Sequence, residues 1–212
     1  MMRRPLLKCV ILSLTPLLVV LGGCASTPPT RFYVLNQLPS SKAEHQAAAT
    51  EHGLAIGVGP VELPQYLHRP QIVTRGSGNK LHLSEFDRWA EPLERNVPRI
   101  LAENLSVLLS TDRVAVFPWE RSTPIDYQVA VKITRFGGRL GGESSLVARW
   151  SVMRVKGKKG KEVLMTRRST FRELADGQDY EATTSAMSRT LADLSREIAA
   201  EIKAVSQKAP DR

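Results

Sequence analysis

The chain has 212 residues, with 30 Lys and Arg against 21 Asp and Glu, a formal charge of +9, and 2 cysteines. Two cysteines exclude a disulfide framework and any zinc or iron–sulfur site built on paired CxxC motifs. The length suits one domain, and the positive balance suits either anionic lipid headgroups or ordinary solubilising surface charge.

The N-terminus has the three-part layout of an export signal. Arg3, Arg4 and Lys8 precede an apolar run over 9–21, interrupted only by Ser13, Thr15 and Pro16. A spanning helix needs roughly 20 apolar residues, so this run is too short for a membrane anchor. It ends in Leu21-Gly22-Gly23-Cys24, which resembles the bacterial lipobox. Small residues give the peptidase access to the backbone, and only cysteine supplies a thiol for alkylation by a diacylglyceryl group. The expected products are a signal over 1–23, a covalent lipid on Cys24 and a tether over 24–30. A periplasmic domain over 31–206 and a disordered tail over 207–212 complete the expected division. Cleavage removes three positive charges and no acidic ones, so +9 becomes +6, and Cys9 leaves with the signal. The mature domain then has no free thiol. Ala25 stands where an aspartate would retain a lipoprotein in the inner membrane of enteric-type bacteria, which points to the outer membrane. No nucleic-acid partner is expected there.

After the tether, Phe32-Tyr33-Val34-Leu35 reads as a strand and 38–53 as a polar loop. Residues 54–63 predict a second strand, where Gly57 and Gly59 suggest a bulge or close backbone packing. A turn over 66–70 leads to a strand over 71–75. A hairpin through Gly76-Ser77-Gly78-Asn79 then leads into 80–83. Leu93, Val97, Ile100, Leu101, Leu105 and Leu108 repeat at helical spacing, with Pro92 expected at the first helical position. Pro98 either kinks that helix or moves its regular start to Asn96. A strand over 114–117 precedes a meander of three longer strands. The last of the elements is a helix whose stripe of Met187, Leu191, Leu194, Ile198, Ile202 and Val205 should pack on the sheet. The fold class is α+β, a mostly antiparallel sheet with two main helices packed on one face.

Catalytic signatures are weak. His45, His52, His68 and His82 lack metal-ligand spacing, the Gly137–Gly142 region lacks a following Gly-Lys-Ser/Thr, and Gly76-Ser77-Gly78 is not a nucleophile elbow. Glu85, Asp87, Glu91 and Glu94 surround Trp89, but Arg88 and Arg95 are at hand to pair with them. The expectation is a non-enzyme with no metal and no cofactor beyond the covalent lipid. Lys156, Lys158, Lys159 and Lys161 read as a solvated hairpin tip.

Taken together, Phe32-Tyr33-Val34-Leu35, Ile56-Gly57-Val58-Gly59-Pro60-Val61 and Trp89-Ala90-Glu91-Pro92-Leu93 resemble the PqiC/YmbA family, also described as ABC-type transport auxiliary lipoproteins. The segment over 63–73, Leu101-Ala102-Glu103-Asn104-Leu105 and Asp126-Tyr127-Gln128-Val129 extend the resemblance in the same order. His68 replaces the acidic residue often found before the Arg-Pro of the turn. The resemblance implies an outer-membrane lipoprotein facing the periplasm. Its implied partners are an MCE-domain protein, an inner-membrane permease and outer-membrane lipid, and its job is to dock a periplasm-spanning lipid-transport assembly. The alternative is an assembly lipoprotein of another outer-membrane machine, for lipopolysaccharide or a secretin. Tyr66, His68 and Arg69 are candidate docking residues, although Tyr66 and Leu67 could equally plug the core. A homo-oligomer matching a ring-shaped partner is also expected.

Overall fold

A computed structural model describes residues 28–39, 53–157 and 160–208. The chain runs β1 (Arg31–Tyr33), β2 (Ile56–Glu62), a 3-10 turn (Gln65–Leu67), β3 (Gln71–Arg75) and β4 (Leu81–Trp89). It continues through α1 (Leu93–Leu109), β5 (Val114–Val116), β6 (Tyr127–Gly138), β7 (Glu143–Val155), β8 (Lys161–Leu174) and α2 (Tyr180–Gln207). The lipobox, Cys24, His45 and His52 lie outside the described residues, as does 209–212 of the expected tail, while Gln207 still belongs to α2.

The α+β class holds, with strand pairing that is mixed and not purely antiparallel. Among the described residues the strands form two sheets, of order β1-β4-β3 and β5-β2-β6-β7-β8. The pairs β1–β4, β2–β5 and β2–β6 are parallel. Only β3–β4, β6–β7 and β7–β8 are antiparallel. The reason is connectivity: a hairpin announces itself by its turn, whereas a parallel pair needs a long crossover that leaves no local signature. Here β2 reaches β5 only after the β3–β4 hairpin and α1.

Alternation explains the meander. Val129, Val131 and Ile133 of β6 and Leu146, Ala148, Trp150 and Val152 of β7 are buried. A register shift between Ile133 and Arg135 lets Phe136 return to the inward side. The indole of Trp150 donates to Ser169 Oγ at 3.0 Å, so its one polar atom is satisfied inside the core. Met187, Leu191, Leu194, Ile198 and Ile202 of α2 are all buried, each contributing roughly 1.5–3 kcal/mol. Asp179 caps this helix by accepting from Ala182 N at 2.8 Å. In α1, Pro92 is the N-cap, not the first helical residue, and the helix passes through the buried Pro98 instead of starting at Asn96.

Gly57 and Gly59 behave as expected of close packing. A Cβ on Gly57 would lie 2.8 Å from the ring of Trp119, and one on Gly59, whose φ is +129°, would lie 2.5 Å from Phe117 Cβ. The β2–β6 register also shifts between Val58 and Val61. The expected strand over 80–83 continues to Trp89, which takes Asp87 into the small sheet.

Beyond β1 the chain is an extended strap over 34–39 held by side chains of both helices. Leu35 N donates to Asn96 Oδ1 at 3.1 Å, Asn36 N to Ser188 Oγ at 3.0 Å and Leu38 N to Asn104 Oδ1 at 2.7 Å. Leu35 itself is buried in the core cluster. Among the described residues no helix is long and apolar enough to cross a membrane.

Candidate functional site

Pro64 leads into the 3-10 turn, which closes through Leu67 N to Pro64 O at 2.9 Å and His68 N to Gln65 O at 3.1 Å. Leu67 plugs the core and fixes the turn, leaving its neighbours at the surface. Tyr66 is half-buried against the core, with the Arg75 guanidinium 5.8 Å from its ring centroid. His68 has an acceptor at each ring nitrogen: Leu63 O lies 3.2 Å from Nε2 and Glu94 Oε1 3.1 Å from Nδ1. One tautomer therefore ties the turn to its own entry, and the other ties it to the first turn of α1.

Arg69 and Pro70 continue toward β4, where Trp89 N donates to Pro70 O at 2.7 Å. The result is a groove of about 350 Å³ lined by His68, Arg69, Pro70, Trp89–Pro92 and Glu94. Two segments separated in sequence, the turn and Trp89-Ala90-Glu91-Pro92, thus share one surface. Of the candidate docking residues, His68 and Arg69 line this groove; Tyr66 does not, because its ring turns toward Arg75 of β3. Arg69 makes no ion pair among the described residues, and its Nε is buried without a hydrogen-bond partner. A buried donor left open costs roughly 1–3 kcal/mol.

Three of the four carboxylates around Trp89, those of Asp87, Glu91 and Glu94, have partners within the fold. Asp87 is buried and accepts from Arg31 Nε at 2.7 Å, Tyr33 Oη at 2.8 Å and Ser84 Oγ at 2.8 Å. Burial pushes its pKa up, but the hydrogen bonds from Arg31, Ser84 and Tyr33 and the Arg31 charge outweigh that and hold it below the ordinary aspartate value. Burial first, then the hydrogen bond to Asp87, pushes the Tyr33 phenol up to about 12. Glu91 accepts from Arg99 and Asn96. The Arg99 hydrogen bond is the largest influence on it, and with Asn96 and the nearby arginine charges it overcomes burial to hold Glu91 below the usual range. Glu85 is exposed, and His82 lies at the surface of β4. Among the described residues no group of three or more His, Cys, Asp or Glu side chains is placed to hold a metal ion. At the lysine-rich turn Lys156 pairs with Glu162 at 2.8 Å, while Lys158 and Lys159 lie outside the described residues.

The anchoring role of Asn96, Asn104 and Ser188 is not read from the sequence, which offers Asn96 only as a helix start and Asn104 only within a family segment. A signal was present for Asn104. It sits three residues after Leu101 and four before Leu108, on the apolar stripe of α1, where a polar side chain needs a buried partner.

A sequence model of the family described as "ABC-type transport auxiliary lipoprotein component" matches residues 33–199. The intermembrane transport lipoprotein PqiC of Escherichia coli (strain K12) is 28% identical over 130 residues, covering 61% of this chain and 67% of PqiC. The protein of the same name from Shigella flexneri matches equally. Among solved structures, an uncharacterized protein superposes with a TM-score of 0.65 at 20% identity, over 82% of this chain and 99% of that one. A protein from Xanthomonas campestris superposes with a TM-score of 0.61 at 14% identity, over 84% and 98%. At those identities the two structures bear on the fold alone.

Proposed function

The chain belongs to the ABC-type transport auxiliary lipoprotein family, and from that premise we propose that it is a non-catalytic, outer-membrane-anchored subunit of an intermembrane lipid-transport system. Its lipid is carried on Cys24 of the lipobox Leu21-Gly22-Gly23-Cys24. Its task is to dock a periplasm-spanning MCE-domain assembly, driven from an inner-membrane permease, to the outer membrane. One observation carries the docking reading: two segments of the family pattern, the turn over 63–73 and Trp89-Ala90-Glu91-Pro92-Leu93, meet around one groove. The groove offers Arg69 as a charge without an ion-pair partner among the described residues. A partner carboxylate or carbonyl reaching into it would gain a charge-assisted hydrogen bond. The carboxylates beside it are already committed to holding the fold, which supports work by contact and not by acid–base chemistry.

The test is crosslinking of the tagged, lipidated protein in cells, followed by identification of what is recovered. An MCE-domain protein is expected, with recovery reduced several-fold by Arg69→Glu. Repeated recovery of none, or of lipopolysaccharide or secretin assembly components instead, would overturn the proposal. Light scattering of the same preparation tests the homo-oligomer, expected as a discrete multiple of the chain mass.

A further inference from the structure

The outer face of the five-stranded sheet, opposite the helices, carries cations in register. Alternation along β7 buries Leu146, Ala148, Trp150 and Val152 on the helix side and sends Arg149 the other way. Cross-strand pairing sets Lys132 of β6 opposite Arg149, and Arg149 opposite Arg168 of β8. Like charges directly opposed in a sheet are destabilising. Lys132 is offset by Glu62 at 3.0 Å and Arg172 by Glu143 at 3.5 Å. Arg135, Arg149 and Arg168 have no carboxylate partner among the described residues. The contrast with the next residue is direct: Arg167 turns to the helix side, where Glu197 and Glu201 of α2 lie 3.6 and 2.7 Å away. The inward arginine has acidic partners, whereas Arg135, Arg149 and Arg168 on the outward face have none among the described residues.

The same face holds a depression. It has a volume of about 320 Å³ between β6, β7 and β8 and is lined by the guanidinium-bearing Arg135, Arg168 and Arg172 together with Thr170 and the Glu143 carboxylate, which pairs with Arg172. Its one apolar lining residue is Val147. A protein–protein interface draws its energy from aromatic and aliphatic anchors at its centre, and this depression has none to offer. Forked guanidinium groups instead suit a small tetrahedral oxyanion, which they bind by paired N–H donors.

We propose that this depression binds the phosphate of an anionic phospholipid headgroup. The site stands on its own geometry. The choice of lipid over free phosphate rests on the proposed function, because a lipidated domain is confined beside headgroups at high effective concentration. Arg135 and Arg168 hold the phosphate, Arg172 shares its charge with Glu143, and Arg149 extends the positive field along the face.

The experiment uses the full-length lipidated protein in nonionic detergent, titrated calorimetrically with four probes. These are dihexanoyl phosphatidylglycerol, dihexanoyl phosphatidylcholine, inorganic phosphate and a glutamate-rich peptide. Phosphatidylglycerol should bind at least about tenfold tighter than the other three, and Arg135→Gln with Arg168→Gln should weaken it by about tenfold or more. Removing the same charge elsewhere, by Lys80→Gln with Arg121→Gln, should change it less than about twofold. Raising salt from about 50 mM to about 0.5 M should weaken binding to the unaltered protein, which reads the site even if the double variant fails to fold. Equal binding of inorganic phosphate, preference for the acidic peptide, salt independence, or an equal loss in the charge-matched control would each overturn the proposal. Crosslinked recovery of the MCE partner is scored separately with the double variant. Recovery without headgroup preference removes only the anion site, and headgroup preference without recovery removes only the docking reading.

Discussion

Asn104 accepts the backbone N–H of Leu38 through Oδ1 at 2.7 Å while its Nδ2 donates to Ser195 Oγ at 3.1 Å. One fully buried carboxamide therefore joins the strap, α1 and α2. Ser195 completes the chain by donating to Leu191 O at 2.8 Å. On the proposed anchoring at Cys24 the strap follows the tether, and force on the anchor would be passed to both helices through this amide and its neighbours Asn96 and Ser188.

Asn104→Ala should destabilise the protein by about 2–4 kcal/mol, because it opens a cavity and strands the Leu38 donor. Asn104→Leu keeps the branched shape without leaving a cavity and should still cost about 1–3 kcal/mol through the lost partners. Urea unfolding of the two variants measures this; wild-type stability in both would mean the strap is not held there.

The acid and alkaline limits follow from the cluster around Asp87. Asp87 and Glu91 both have folded pKa values below their unfolded ones, so their contribution is present above about pH 4 and is lost as pH falls through the depressed folded values. Tyr33 works in the other direction. Its folded pKa is raised to about 12, so the unfolded phenol ionises first, and stability falls as pH rises from about 10 toward 12. The melting temperature should be level between about pH 5 and 9 and drop on either side. Asp87→Asn should flatten part of the acid arm, and Tyr33→Phe should flatten part of the alkaline arm. Thermal melts across that range check both, and an unchanged acid arm in Asp87→Asn would contradict the assignment.

The stripe of α2 is legible because a helix face repeats regularly, and each of its leucines and isoleucines is buried where that repeat puts it. The second half of β4 is not legible. Its alternation is broken by a buried charge, Asp87, whose partner Arg31 is 56 residues away, and no local rule reports such a partner. β1 and β5 answer to the strands expected near 32–35 and 114–117, but their parallel pairing with β4 and β2 has no local signal either. For the groove, composition and spacing gave nothing. The family resemblance pointed to both of its walls, but only the pairing of Trp89 N with Pro70 O brings them face to face. The basic sheet face was missed because Arg149 and Arg168 are 19 residues apart and become neighbours only in the β7–β8 register.

Two glycines of β2 rank against each other. At Gly57 an added methyl meets the far edge of the Trp119 ring, which is partly exposed and can swing aside. At Gly59 it meets Phe117 Cβ next to the backbone, on a residue whose φ of +129° already disfavours any side chain. Gly57→Ala should cost about 1 kcal/mol and Gly59→Ala about 2–4 kcal/mol. Equilibrium unfolding measures the order, and a reversed order would mean that the loop carrying Phe117 and Trp119 does not rest on β2 in solution.

The anchor gives the last prediction. With Cys24 lipidated as proposed, a tether over 24–30 has seven residues, and at ~3.3 Å per extended residue it would keep the domain within roughly 25 Å of the bilayer. A single acyl chain binds membranes only marginally, at ~0.8 kcal/mol per buried methylene, but two or more chains hold effectively for good. Cys24→Ser removes the sulfur that would carry them. The apolar run over 9–21 is then left uncleaved, and it is shorter than the roughly 20 residues a stable span requires. Incorporation of radiolabelled palmitate should disappear, and the protein should be lost from the outer-membrane density fraction, with envelope resistance to detergents falling to that of a deletion strain. If the serine variant stays in the outer membrane and restores resistance in full, the domain finds its place by its own surface, and the lipobox reading fails with the docking proposal built on it.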